Sequence, residues 1–169
     1  MIVVADASPL NYLIQIQFDT LLHVLFRQVL VPTAVIEELS HSRAPNSVKT
    51  WISRRPPWID VRPVVTPEDD ALETLDPGER EAIVLAQQTN ADFLLIDERR
   101  GRLEARRRGI STTGTLGVLL LAGIRGLVNA ELALNVCRRR PHFALVPNCA
   151  KASWRSAANK LCRSVVAGF

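Results

Sequence analysis

The first thirteen residues, MIVVADASPLNYL (1–13), contain the stretch that decides the fold. Ile2–Ala5 is a short apolar run rich in β-branched residues, which is typical of a strand buried on both faces of a parallel sheet. The run ends at Asp6, and a carboxylate there would lie at the rim where open α/β sheets place their ligands. Taken alone, Asp6 is better explained as the start of a turn before Ser8 and Pro9.

Apolar runs alternate with helical patterns along the rest of the chain, which predicts βαβ units and a parallel sheet in an α/β fold. Residues 54–70, rich in proline and charge, indicate a connector with a possible edge strand. Beyond the first strand, we predict strands at Val29–Val31, Phe93–Ile96, Ile110–Thr112 and Phe143–Val146. Helices are predicted at about Leu10–Gln17, Asp19–Phe26, Thr33–Ser40, Ser47–Ser53, Gly78–Thr89, Arg99–Arg108, Thr115–Gly123 and Ala130–Arg139.

The length of 169 residues indicates one domain with room for a substantial core. We assign residues 1–146 to this domain and 147–169 to a tail with a possible terminal helix. No apolar run approaches the roughly 18 residues that a membrane span needs. The N-terminus lacks the basic segment of a signal peptide, so we expect a cytoplasmic protein. The three cysteines are too few and too scattered for a disulfide framework, and free thiols are expected at Cys137, Cys149 and Cys162.

The formal net charge of +4 is concentrated in two basic clusters, at residues 98–108 and 138–140. Such clusters are usually solvated helix faces. They also suit a polyanionic partner such as nucleic acid, and the charge alone does not decide between these two interpretations.

A second acid, Asp97, ends the predicted strand Phe93–Ile96. Asp97 could serve only as the N-cap of the following helix. However, two buried parallel strands that end in aspartate at the same rim would bring Asp6 and Asp97 together if the strands are neighbours.

A third acid, Glu79, lies in DPGEREAIVLA (76–86). Asp76 and Glu79 have the spacing of a capping box, with Pro77 at the first helical position, and this explains Glu79 without any catalytic role. The apolar stripe of the same helix nevertheless places Glu79 near the sheet, whereas Glu81 has the less suitable geometry.

A fourth acid, Glu38, lies in VPTAVIEELS (31–40). Helical spacing puts Glu38 at the edge of the core-facing stripe and Glu37 nearly opposite it. Glu38 can therefore reach a site beside the core.

Four carboxylates brought close together repel one another unless some stay protonated or a cation intervenes. Mg²⁺ takes oxygen ligands and commonly binds through one or two carboxylates together with substrate phosphates. Such an ion can activate water for phosphodiester cleavage. The candidate set is Asp6, Glu38, Glu79 and Asp97.

In this order, VVADASPL, VPTAVIEEL, DPGEREAIVLA and ADFLLIDERRGR resemble the PIN-domain family, in particular a prokaryotic branch with a Gly-Glu-x-Glu-Ala-Ile helix. The resemblance covers roughly residues 1–128; after Val128 the chain departs from the family pattern. It implies a three-layer α/β/α fold and endoribonuclease activity dependent on Mg²⁺ or Mn²⁺. It also implies the role of toxin in a toxin–antitoxin pair, with a small antitoxin as partner and a homodimeric state.

The resemblance also implies roles for individual residues. Asp6, Glu79 and Asp97 would hold the metal, and Glu38 would orient or deprotonate the attacking water. Ser8 would support Asp6, and Glu98 stands where many relatives have aspartate. Contacts with RNA phosphates are expected from three arginines, Arg99, Arg100 and Arg102. A solvated helix face would explain each of these arginines equally well.

Two other functions remain open. A PIN-like module that binds RNA or protein without cutting would not need all four acids. A phosphatase with Asp6 as nucleophile would typically have a second aspartate two residues later, where this chain has Ser8.

Overall fold

The computed structural model describes residues 1–129. The predicted helix at 130–139, the strand at 143–146, the tail at 147–169 and the three cysteines lie outside the described residues and stay predictions. The first compact unit spans Met1–Thr115 and contains every strand that the described residues form.

Within residues 1–129, five parallel strands form one sheet in the order β3-β2-β1-β4-β5, which confirms the predicted parallel α/β fold. The order places β1 at the centre, paired with β2 on one side and β4 on the other. The strands are β1 Ile2–Ala5, β2 Gln28–Pro32, β3 Ile59–Arg62, β4 Phe93–Leu95 and β5 Thr112–Thr113.

Helices connect successive strands and cover the sheet, giving the three-layer α/β/α arrangement. They are α1 Ala7–Gln15, α2 Thr20–Leu25, α3 Thr33–Ser40, α4 Asn46–Ser53, α5 Asp70–Glu73, α6 Pro77–Gln88 and α7 Arg99–Arg107. A further helix, α8, begins at Thr115 and extends to Ile124. Within residues 1–129, no helix combines the length and apolarity needed to cross a membrane.

The central strand is buried on both faces, as its composition predicts. Val3, Val4 and Ala5 have no exposed surface. On one face, Val4 and its neighbours in β2 and β4 pack with the apolar stripe of α6. A residue that follows β1 therefore leaves a fully buried strand and emerges directly at the rim of the sheet.

Three local differences from the predictions have simple causes. Helix α1 begins at Ala7 rather than Leu10, because proline at its third position fits a helical first turn. Strand β5 begins two residues later than predicted, because Ile110 N still bonds to Ala105 O at the end of α7. The short helix α5 was not predicted; Asp69 initiates it by accepting bonds from two backbone amides.

Candidate functional site

Asp6 and Asp97 end adjacent strands at the same rim of the sheet. The backbone N–H of Asp6 donates to Leu95 O at 3.0 Å, which continues the parallel β1–β4 pairing past the end of β1. Both carboxylates are buried, with exposed fractions of 2% for Asp6 and 8% for Asp97. The strands are therefore neighbours, as the convergence of the two acids requires.

Glu38 joins this rim where α3 crosses the start of α6. A Cβ atom built on Gly78 would lie 3.0 Å from Oε2 of Glu38 and 3.4 Å from Oδ1 of Asp6. Both carboxylates thus approach the first turn of α6, where glycine leaves them room.

Glu81 holds α3 in this position. Its Oε2 accepts a hydrogen bond from Ala34 N at 3.0 Å, at the start of α3, where the N-cap residue Pro32 supplies no side-chain bond. The side chain that the sequence pattern disfavoured for the site therefore has a structural role: it ties the helix of Glu38 to the helix of Glu79.

The two carboxylate oxygens of Glu79 have different surroundings: Oε2 has a structural role, and Oε1 has none within residues 1–129. Oε2 accepts from Asp76 N at 3.3 Å, which confirms the predicted capping box. Oε1 is buried, and within the described residues it has no hydrogen-bond partner. A buried charged oxygen without a partner is costly unless a cation or a proton compensates it.

Asp97 is fixed by Thr115. Thr115 N donates to Oδ1 at 2.9 Å, and the Thr115 hydroxyl donates to Oδ2 at 2.6 Å. The alternative that Asp97 merely caps α7 is wrong, because the N-cap residue of α7 is Glu98.

Two more glycines lie against the acids, and sequence reasoning missed them. A Cβ atom on Gly101 would lie 2.6 Å from Oε1 of Glu79, and one on Gly114 would overlap Oδ1 of Asp97. A signal existed for Gly101: a glycine inside a helix costs about 1 kcal/mol relative to alanine, which indicates a packing reason.

Burial and mutual repulsion disfavour the charged forms of the acids. Burial raises the pKa of Asp6 from 3.8 to about 8, with smaller contributions from Glu38 and Glu79 and a partial offset by the Ala7 and Ser8 amides. Burial, and then the charges of Asp76, Glu98 and Glu38, raises the pKa of Glu79, although the Asp76 amide lowers it.

Glu38 and Asp97 are perturbed in the same direction. Glu38 is exposed overall, yet partial loss of hydration and the charges of Asp76 and Glu98 raise its pKa. Burial raises the pKa of Asp97, and the Thr115 hydrogen bonds and the Arg102 charge lower it. Glu98, which stands where many relatives have aspartate, and Asp76, the N-cap of α6, therefore belong to the same electrostatic group.

The remaining predicted residues lie at the margins. Ser8 is half-buried, and its backbone amide acts on the pKa of Asp6. Arg99 and Arg100 are exposed at the start of α7, and Arg102 is half-buried within electrostatic range of Asp97. The support of Asp6 by the Ser8 hydroxyl and the RNA contacts of the arginines stay predictions.

The donor set fits a hard divalent cation. It consists of the oxygens of carboxyl groups whose pKa values are raised. One of these oxygens, Oε1 of Glu79, is buried and has no hydrogen-bond partner in the described part of the chain. Among residues 1–129, no three histidine, cysteine or acidic side chains form a preformed metal-binding group. Mg²⁺ does not need such a cage, because it retains waters and shares its coordination with substrate phosphates.

The structure is similar to a PilT N-terminus domain protein, SSO1118, from the hyperthermophilic archaeon Sulfolobus solfataricus P2, at 14% identity and a TM-score of 0.48. That similarity covers 70% of this chain and 90% of the archaeal one. No curated protein matches the chain significantly.

A family model described as PIN domain (DUF3368) matches residues 2–154, nearly the whole chain. PIN domains are generally nucleases and usually use divalent metal ions. The predicted resemblance is thereby confirmed, and the chain belongs to the PIN-domain family.

Proposed function

We propose that this protein is a Mg²⁺- or Mn²⁺-dependent endoribonuclease. The observation that carries the proposal is Oε1 of Glu79, which is buried and has no hydrogen-bond partner within residues 1–129, near Asp6 and Glu38 at the rim where the strand before Asp97 also ends. An uncompensated group of this kind is unfavourable for stability, and it becomes favourable when a divalent cation is bound.

In this proposal, Asp6, Glu79 and Asp97 hold the ion. When bound, the ion supplies positive charge that stabilises the developing charge of phosphodiester cleavage and promotes deprotonation of water. Thr115 keeps both oxygens of Asp97 in one orientation through its two hydrogen bonds. The capping bond of Glu79 leaves Oε1 as its available ligand atom.

Glu38 is the proposed general base. It is exposed, so water and substrate can reach it, and its raised pKa brings it nearer to the operating pH, where a general base is most effective. Glu38 orients the attacking water and accepts its proton as the water oxygen bonds to phosphorus. The phosphorus–oxygen bond to the leaving ribose oxygen breaks, and that oxygen takes a proton from solvent.

RNA and protein partners complete the proposal. The arginines at the start of α7 would contact RNA phosphates, and their positions next to Asp97 in sequence support this assignment. Family resemblance supports a cytoplasmic toxin, a homodimer and a small antitoxin that restrains the activity.

The test compares wild-type protein with Asp97→Asn on mixed RNA, with Mg²⁺, with Mn²⁺ and with EDTA. Asp70→Asn, at an exposed position in α5, is the matched control. We expect cleavage that requires metal, that falls more than about 100-fold in Asp97→Asn, and that persists in the control.

Circular dichroism and thermal unfolding establish that each variant is folded. A folded wild-type protein that binds RNA without cutting it under any metal would favour a binding module instead. Cleavage that survives both EDTA and Asp97→Asn would place the reaction elsewhere in the molecule.

A further inference from the structure

A cavity of about 390 Å³ opens beside Glu38, between the start of α1 and the α3–α4 loop, residues 41–45. Its polar lining comes from Ser8, Asn11, His41 and Arg43, with Glu38 as the acidic residue. Pockets that bind small ligands are about 300–1,000 Å³, so this cavity suits a ligand near the lower end of that range.

The polar lining offers hydrogen-bond donors. Nδ1 of His41 accepts from Arg43 N at 3.3 Å, which leaves Nε2 to carry the proton of a neutral ring. Oδ1 of Asn11 accepts from Gln15 Nε2 at 2.9 Å, so the Asn11 amide nitrogen remains available as a donor. Arg43 is exposed and, within residues 1–129, forms no ion pair.

The rest of the lining is apolar. Leu39, Ala44 and Pro45 present aliphatic surface next to these donors. Apolar walls with a few donors at the edge are the pattern that accommodates a flat base and a charged phosphate together.

The strand order places this cavity and α7 on opposite sides of the acids. The cavity adjoins α3, which follows β2, whereas α7 follows β4 and precedes β5. Strand β1, which ends at Asp6, lies between β2 and β4. An extended strand of RNA from α7 to the cavity therefore passes over the acids.

We propose that this cavity binds one unpaired nucleotide of single-stranded RNA, adjacent to the phosphodiester that is cut, with a backbone phosphate at Arg43. The assignment rests on the proposed function, because RNA cleavage is what places a substrate at Glu38. Unpaired nucleotides can turn their bases out into such a cavity, whereas bases in a duplex are held in the stack.

The experiment measures RNA binding in the Asp97→Asn background, so that cleavage does not interfere. The probe is a fluorescein-labelled single-stranded RNA of about eight nucleotides, compared with a duplex of the same sequence. Arg43→Glu reverses the charge at the cavity. Arg55→Glu is the matched control, since Arg55 is exposed and follows the far end of α4, and an eight-residue helix spans about 12 Å.

We expect Arg43→Glu to weaken single-strand binding at least about tenfold and to reduce the slope of log K against log salt by about 0.7, as one lost phosphate contact predicts. Ala44→Phe, which fills the cavity without changing charge, should also weaken binding. Its effect on the single strand should exceed its effect on the duplex. Thermal unfolding of each variant identifies any that are misfolded.

Equal effects of Arg43→Glu and Arg55→Glu, together with no effect of Ala44→Phe in a folded protein, would overturn the proposed subsite. Cleavage by wild-type protein would then still support the nuclease. Conversely, cavity-dependent binding by a wild-type protein that never cuts RNA would retain the nucleotide site and refute the catalytic assignment. Binding of duplex alone, insensitive to both cavity variants, would also overturn the subsite.

Discussion

Asp6→Asn removes a carboxyl group whose pKa is strongly raised and should stabilise the metal-free protein at high pH. The folded-state pKa of Asp6 is about 8, against an ordinary aspartate value of 3.8. The folded protein therefore holds this proton more tightly than the unfolded chain does. This contribution to stability is complete below about pH 4 and is lost as the pH rises towards 8.

The magnitude follows from the same pKa difference. At 1.36 kcal/mol for each pH unit, the interval from 3.8 to about 8 corresponds to about 6 kcal/mol as an upper limit. Between about pH 5 and about pH 8, we expect the stability of Asp6→Asn to gain at least about 2 kcal/mol relative to wild type.

Denaturant unfolding at both pH values, in EDTA, measures this difference, and exposed Asp70→Asn should show no comparable pH dependence. Added Mg²⁺ should raise the stability of wild type, because it binds the charged site, and should affect Asp6→Asn much less. A stability difference between wild type and Asp6→Asn that is the same at both pH values would refute the reasoning.

Two substitutions test the packing around the acids. Gly101→Ala should destabilise the protein by about 1–3 kcal/mol in denaturant unfolding, because its Cβ atom would overlap Ile96 and crowd Oε1 of Glu79. A gain of about 1 kcal/mol, as helix propensity alone predicts, would contradict the close approach. Thr115→Val removes the 2.6 Å hydroxyl bond to Asp97 but keeps the backbone bond, so metal affinity and cleavage should fall about 10–100-fold. Unchanged metal titration and cleavage rates would show that this hydroxyl does not position Asp97.

The parallel sheet was predictable because its three central strands, β1, β2 and β4, are short apolar runs that are largely buried. Ile2–Ala5 has the same bounds in the structure as in the prediction. The edge strand β3 was expected only as a possibility, because proline and charge surround it. Helix α5 escaped prediction because four residues with an aspartate cap carry too little periodicity.

The candidate acids were selected from the sequence because each lies at a strand end, a helix start or the edge of an apolar stripe. The free space around the acids could not be predicted from the sequence. Whether a Cβ atom at Gly78, Gly101 or Gly114 meets a carboxylate depends on how distant elements approach, and local patterns do not record that. Thr115 lies 18 residues from Asp97 in the sequence, and the pairing of β4 with β5 brings the two residues together.

The acids are spread over residues 6–97, and the last side chain that fixes them is Thr115. No single segment of the chain carries the site, which forms only after β1 is enclosed by β2 and β4 and α6 is docked against α3. A growing chain on the ribosome therefore lacks an assembled acidic site until residue 115 has emerged and folded. Partial unfolding or proteolysis at any of these elements would likewise dismantle the site, so nuclease activity would belong to the complete unit and to none of its fragments.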